Sequence, residues 1–170
     1  IIKALVINGA SSFISSMNFY TTISSMRCPG IGLGIIYLFP WAIFIMFTLL
    51  ILVLPVLTGA IGILVSDICF NTIYMDPAFG GDPVLYQHFF WVFGHPEVYI
   101  LIVPAFGVLS HVLAGVAGSI IIYGYPSMVL AMGCISTLGS LVWGHHIYTV
   151  GLEADTRSYF TGLTVMISLP

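Results

Sequence analysis

The chain has 170 residues, 59% of them hydrophobic and only 5% charged, with a net charge of −3 and a mean hydropathy of +1.14. A soluble domain carries roughly 25% charged residues, so a soluble globular fold is excluded, and the lack of any basic cluster excludes nucleic acid as a partner. Apolar runs recur at the ~20 residues a membrane crossing needs, without the short alternating segments of a closed β-barrel; the composition predicts an all-α, polytopic transmembrane bundle bathed in lipid.

In chain order, Ile1-Ile2-Lys3 shows neither an initiator Met nor a signal-peptide pattern. A first span, about 1–25, is apolar but carries Ser11, Ser12, Ser15 and Ser16. Hydroxyls that bond back to their own helix suit a face turned to protein rather than lipid. Arg27-Cys28-Pro29-Gly30 is a turn, and a second span covers about 31–66. That run exceeds the ~30 Å hydrocarbon core, so it tilts, bends at Pro40 or Pro55, or protrudes.

Residues 67–83 form the longest polar connection, with Asp76, Gly80-Gly81 and Asp82-Pro83 as loop signals. A third span follows at about 84–114, then a Gly-rich turn over 115–124 and a fourth span at about 125–148. The polar loop 151–157 leads to a fifth, truncated span from about 158 to 170. The chain stops within the apolar run Ile167-Ser168-Leu169-Pro170, so it reads as one membrane domain, 1–170, cut from a longer protein. Alternation of the loops puts the acid-rich 67–83 and 151–157 connections on one side, which is assigned to the outside. Cys28, Cys69 and Cys134 are scattered without metal-ligand spacing and read as small packing residues.

The chemistry concentrates in the third span, at Trp91-Val92-Phe93-Gly94-His95-Pro96-Glu97-Val98-Tyr99. An acid inside a membrane segment is costly and by default marks function. On a helix His95 and Tyr99, four residues apart, share a face, while Glu97 points away from both. Pro96 removes one backbone N–H just after the histidine and loosens the helix locally.

A second polar group, His145-His146, stands near the end of the fourth span. His95 lies about 11 residues into its span, roughly 16 Å deep. Both histidine groups therefore fall in the same half of the membrane on consecutive antiparallel helices, and the short connection favours direct packing. Three imidazoles without a thiolate suit copper, zinc, iron or nickel, and three protein ligands leave a position open for substrate. Adjacent residues do not share a helix face, so a joint role for His145 and His146 requires non-helical backbone or a helix end, for which Gly144 is suited. Alternatives stand beside this reading. A lone histidine in an apolar helix is commonly a hydrogen-bonded interior residue, a His-His pair could sit at the lipid interface, Glu97 could be a neutral acid bonded across helices, and Trp91 and Tyr99 could be packing aromatics.

These residues also carry a family resemblance. Trp91 to Leu101 (WVFGHPEVYIL) and Val142 to Thr149 (VWGHHIYT) resemble the two signature regions of the large subunit of haem-copper oxidases. The spacing of fifty residues from His95 to His145 fits that family, as do Asp76-Pro77, Gly80-Gly81-Asp82-Pro83 and Tyr86-Gln87-His88. The loop from Val150 to Phe160 (VGLEADTRSYF) is more similar to the cytochrome c oxidase branch than to the quinol oxidases. The resemblance covers essentially the whole chain, more loosely in its first sixty residues. It implies a piece of a twelve-helix subunit, from the end of the fourth helix to the start of the eighth.

The resemblance implies roles at matching positions. His95, His145 and His146 would hold the copper (copper B) that works with a high-spin haem. Tyr99 would be covalently joined to His95, and the i,i+4 geometry is what such a link needs. Glu97 would head a proton pathway, and Ser110 would belong to a second one leading toward Tyr99. Val98 would lie near the oxygen route, with Trp91 and Trp143 beside the metal centre. Both haem A groups, a and a3, would take their axial ligands from parts of the subunit outside this stretch; His88 and His111 match positions with structural roles only.

The implied activity is reduction of O2 to water coupled to proton pumping, in which metal cofactors carry the electron chemistry. Implied partners are the rest of the subunit, the copper-A subunit II and other oxidase subunits, with cytochrome c as donor. The implied location is the mitochondrial inner membrane, or the plasma membrane if the source is bacterial. Two competing readings are a quinol oxidase, which lacks a copper-A partner, and a non-redox transporter using Glu97 as a coupling acid at a broken helix. The transporter leaves the His95–Tyr99 and His145–His146 pairs unexplained.

Overall fold

The structure is a computed structural model describing residues 1–170. It is all-helical: α1 (Ile2–Ser25), α2 (Leu38–Cys69), α3 (Pro83–Val116), α4 (Tyr125–Gly139) and α5 (Ala154–Met166), with short 3-10 turns between. The longest of those turns, Trp143–Val150, follows three residues after the end of α4. By length and composition three stretches can cross a membrane: Leu38–Cys69, Pro83–Val116 and Tyr125–Val150. The 24-residue α1 has the length, but its serines, threonines and asparagines hold its apolarity below theirs.

Helix ends are closed by side chains that the sequence places beside them. Arg27 donates to the carbonyls of Ile23 and Ser24, both at 2.7 Å, and so satisfies the open C-terminus of α1. Asp82 accepts the Val84 N–H at 2.9 Å, with Pro83 opening α3 where no N–H is required. The first turn of α2 is closed from another helix, since the Phe39 N–H donates to His111 Nε2 on α3 at 3.1 Å. Tyr125, opening α4, donates its hydroxyl to the Ile36 carbonyl just before α2.

The connection between α2 and α3 is folded around two acids. Asp67, in the last turn of α2, accepts from the Thr72 hydroxyl and from the backbone N–H of Tyr74 (3.1 Å) and Met75 (2.9 Å). Asp76 caps the following 3-10 turn through the Ala78 N–H at 3.0 Å. Gly81 lies against the Ile73 carbonyl so closely that any Cβ would collide with it. The loop signals in 67–83 thus correspond to a self-bonded turn that sets where α3 begins.

The helices meet along narrow seams. Only 22 of the 170 residues are buried, so most of the apolar surface is left for lipid or further helices, as expected of helices apolar all round. One core cluster joins Leu38 and Ala42 of α2, Val103 of α3 and Met132 of α4; another joins Leu49, Val53 and Ile100. Gly107 makes the α2–α3 crossing possible, because a Cβ there would stand 2.9 Å from Ala42 Cβ and 3.1 Å from Phe39 Cα. Small residues at a crossing let membrane helices approach closely. Gly107→Val should therefore cost about 1–3 kcal/mol by overpacking, measured as a lower yield of assembled complex. Gly133→Val, where a Cβ meets nothing within 4 Å, should leave the yield unchanged.

The expected bends resolve differently at each proline. Pro40 sits in the first turn of α2, where no helical N–H is needed, while Pro55, Pro96 and Pro104 lie inside continuous helix. Each interior proline leaves the carbonyl four residues earlier without its helical donor; for Pro96 this is Val92. Tertiary packing holds the helix together there, since Pro96 is fully buried.

Candidate metal centre

Two elements carry the histidines. His95 projects from the middle of α3, buried to 7% exposure. His145 and His146 stand in the 3-10 segment Trp143–Val150, which is interrupted at Ile147 (φ −125°, ψ 26°). The backbone there is not α-helical, so adjacent histidines can turn to a common point. Gly144 lets the Phe160 ring of α5 lie against this segment, as any Cβ at that position would run into the ring. Trp143 fastens the segment to α3 by donating its indole N–H to His88 Nδ1 at 3.2 Å, and its ring meets Phe160 edge-on.

The three imidazoles converge across 51 residues of sequence. His95 Nδ1 lies 2.9 Å from His146 Nε2, which lies 3.1 Å from His145 Nε2. One nitrogen from each ring lies within 4.8 Å of one nitrogen from each of the other two. Imidazole nitrogens bound to a metal at about 2.0–2.1 Å are separated by slightly more than the two shorter distances here. The donor set contains no thiolate, since Cys28, Cys69 and Cys134 lie outside the cluster. Three imidazoles fit a borderline metal such as copper or zinc.

Hydrogen bonding selects the tautomer of His145. Thr164 of α5 spends its hydroxyl proton on the Phe160 carbonyl at 2.7 Å. Its oxygen is then free to accept from His145 Nδ1–H, 3.0 Å away. With the proton on Nδ1, Nε2 presents its lone pair to the cluster, as a ligating histidine must. His146 is oriented by stacking, its ring 4.0 Å from that of Trp91 and inclined by only 10°.

The far side of His95 is also informative. Its Nε2 is buried and has no hydrogen-bond partner in the protein, although a buried polar atom normally finds one. The Tyr99 ring stands beside it, with centroids 4.8 Å apart and planes at 56°. The nitrogen without a partner thus belongs to a ring that packs on the aromatic residue one turn along the same helix.

The structure brings together His95, His145, His146, Trp91 and Tyr99, with Trp143 adjoining them. Glu97, Val98 and Ser110 stand apart. Glu97 is half-buried at roughly 200° round α3 from His95. Val98 is 52% exposed. Ser110 donates to the Phe106 carbonyl at 2.7 Å and lies 11 residues beyond Tyr99 on nearly the same face, roughly 16 Å away along the helix. Two contributors have no sequence signal as site residues: Thr164 and Phe160, each of which acts only through contact with another element.

A family model described as cytochrome c and quinol oxidase polypeptide I matches residues 1–170. The chain is similar to the cytochrome c oxidase subunit 1 of Plasmodium falciparum, 55% identical over 170 residues, and to that of Plasmodium berghei, 54% identical over 171. Each alignment takes in all of this chain and 36% of the relative. The cytochrome c oxidase subunit 1 of Cereibacter sphaeroides is 49% identical over 169 residues, which are 99% of this chain and 30% of that protein. The chain thus spans about a third of the length of the curated relatives it matches.

Proposed function

This chain belongs to the cytochrome c and quinol oxidase polypeptide I family, and on that footing we propose that it is the metal-binding segment of the catalytic subunit of a cytochrome c oxidase. The observation that carries the reading is the convergence of His95, His145 and His146 nitrogens beside the unpartnered face of His95 and the ring of Tyr99. The three imidazoles hold copper B, and Tyr99 and Glu97 handle protons. When bound, that copper together with haem A supplies the electrons that reduce O2 to water.

The residues of this chain bind, orient and move protons. Thr164 keeps the His145 proton on Nδ1, and Trp91 holds the His146 ring in place. Tyr99, one turn from His95, is joined to it by a bond between His95 Nε2 and a ring carbon of Tyr99. That bond replaces one N–H and one C–H; the two protons and two electrons released pass to dioxygen, the oxidant of the reaction. Glu97 exchanges a proton on the other side of α3, and Ser110 belongs to a second proton route that approaches Tyr99 along the helix. Val98 borders the path by which oxygen arrives.

The haem groups would be held by the rest of the subunit. The partners are that remainder, a copper-A subunit, the other oxidase subunits and cytochrome c, within the mitochondrial inner membrane. The apolar outer surface of α2 and α3 and the higher identity to relatives from Plasmodium than to the bacterial one support this location.

Peptide mass spectrometry on the purified complex tests the reading. A peptide spanning Trp91 to Val103 should weigh two hydrogens less than its sequence, with fragmentation placing the link between His95 and Tyr99. An unmodified peptide from a complex without copper would instead favour a proton-coupled transporter.

A further inference from the structure

Tyr99 has a second neighbour, on another helix. Gly139 is buried near the end of α4, and a Cβ built there would stand 2.6 Å from Tyr99 Cδ2 and 2.7 Å from Cε2. Two carbons in good contact lie about 3.5–4.0 Å apart, so one edge of the phenol ring rests directly on the α4 backbone. On the same helix a Cβ at Gly133 meets nothing within 4 Å. Gly139 has no positive φ to require a glycine, and glycine is a poor helix former. Space for the ring is the physical reason left for a glycine at 139.

The ring is therefore confined on two sides. His95 limits it from one turn back on α3, with centroids 4.8 Å apart, and Gly139 limits it from α4. A tyrosine on a helix has few permitted χ1 settings. A contact of this kind decides where its ring carbons stand relative to His95 Nε2, the buried nitrogen without a partner.

We propose that Gly139 is a positioning residue for Tyr99: its missing side chain seats the phenol ring where the bond to His95 Nε2 can form. This rests on the roles given above to His95 and Tyr99. A methyl group added at 139 meets the ring first, since its three nearest atoms all belong to Tyr99; it moves the ring while leaving the three ligating nitrogens in place. The bond forms only between near-contact atoms, and misplacement by about an ångström costs such a reaction roughly 10²-fold.

The test uses the assembled oxidase containing the full subunit, in wild-type form and with Gly139→Ala or Gly133→Ala. The readout is the fraction of the Trp91–Val103 peptide that is two hydrogens light, beside the copper content. Gly139→Ala should lower the linked fraction roughly tenfold or more, with copper retained, while Gly133→Ala matches wild type. A linked fraction in Gly139→Ala equal to wild type overturns the proposal. If Gly139→Ala fails to assemble, the variant combined with Tyr99→Ala should assemble as well as Tyr99→Ala alone, because the obstructing ring is gone; failure of that pair also overturns it. Wild-type enzyme lacking the link would instead overturn the reading of His95 and Tyr99 on which the proposal stands.

Discussion

An assembled oxidase carrying His95→Ala should lose the metal held by the histidine cluster, and its oxygen consumption should fall about a thousandfold or more, since a catalytic metal ion is worth several kcal/mol of barrier. Of the three imidazoles, His95 alone comes from α3, and it is the most buried of the three. Without it only His145 and His146 remain, two ligands on neighbouring residues. Alanine continues a helix well, so α3 and its seam with α2 should persist. Copper measured against haem would decide the matter: near-zero copper with haem retained is expected. His111→Ala is the control, since His111 caps the start of α2 and lies outside the cluster, and it should keep its copper. Full copper occupancy in His95→Ala would contradict the assignment of the site.

Glu97→Gln should have the second-largest effect, a loss of turnover of roughly 100-fold or more, in the range that a positioned proton-transfer group contributes. The amide keeps the size and hydrogen-bonding shape of the acid but cannot pass a proton. Glu97 follows Pro96, which leaves the Val92 carbonyl without its helical donor, so the acid stands where the helix has a free polar group. Its place roughly 200° round α3 from His95 means that the substitution should disturb neither the copper nor the His95–Tyr99 link. Oxygen uptake and proton release from vesicles containing the variant measure the effect. Near-normal turnover and pumping would remove Glu97 from the proton pathway.

Much of the fold was legible because membrane helices announce themselves by continuous apolarity, a property each stretch carries locally. The loop over 67–83 was legible for a similar reason: Asp67, Asp76 and Asp82 act on backbone N–H groups within eight residues. The way α2 begins was not. Its cap is His111, 72 residues further on, and nothing in the local sequence distinguishes that histidine from an interior one. The seat of α2 on α3 at Gly107 was equally hidden, because a glycine in an apolar helix carries no sign of which neighbour comes close.

In the candidate site, the sequence by itself determined what helical periodicity can settle: Tyr99 stands one turn from His95 on a shared face, Glu97 stands off it, and His145 and His146 need non-helical backbone or a helix end. Tertiary structure alone decided which nitrogens meet. His95 Nδ1 reaches His146 across 51 residues because α3 packs on the 3-10 segment, and the tautomer of His145 follows from Thr164 on a third element. The ring of Tyr99 has its place from Gly139 on a fourth. Spacing along a helix sets angles about one axis; the distances between ligands depend on how separate axes cross, and that is decided by side-chain volumes at the seams.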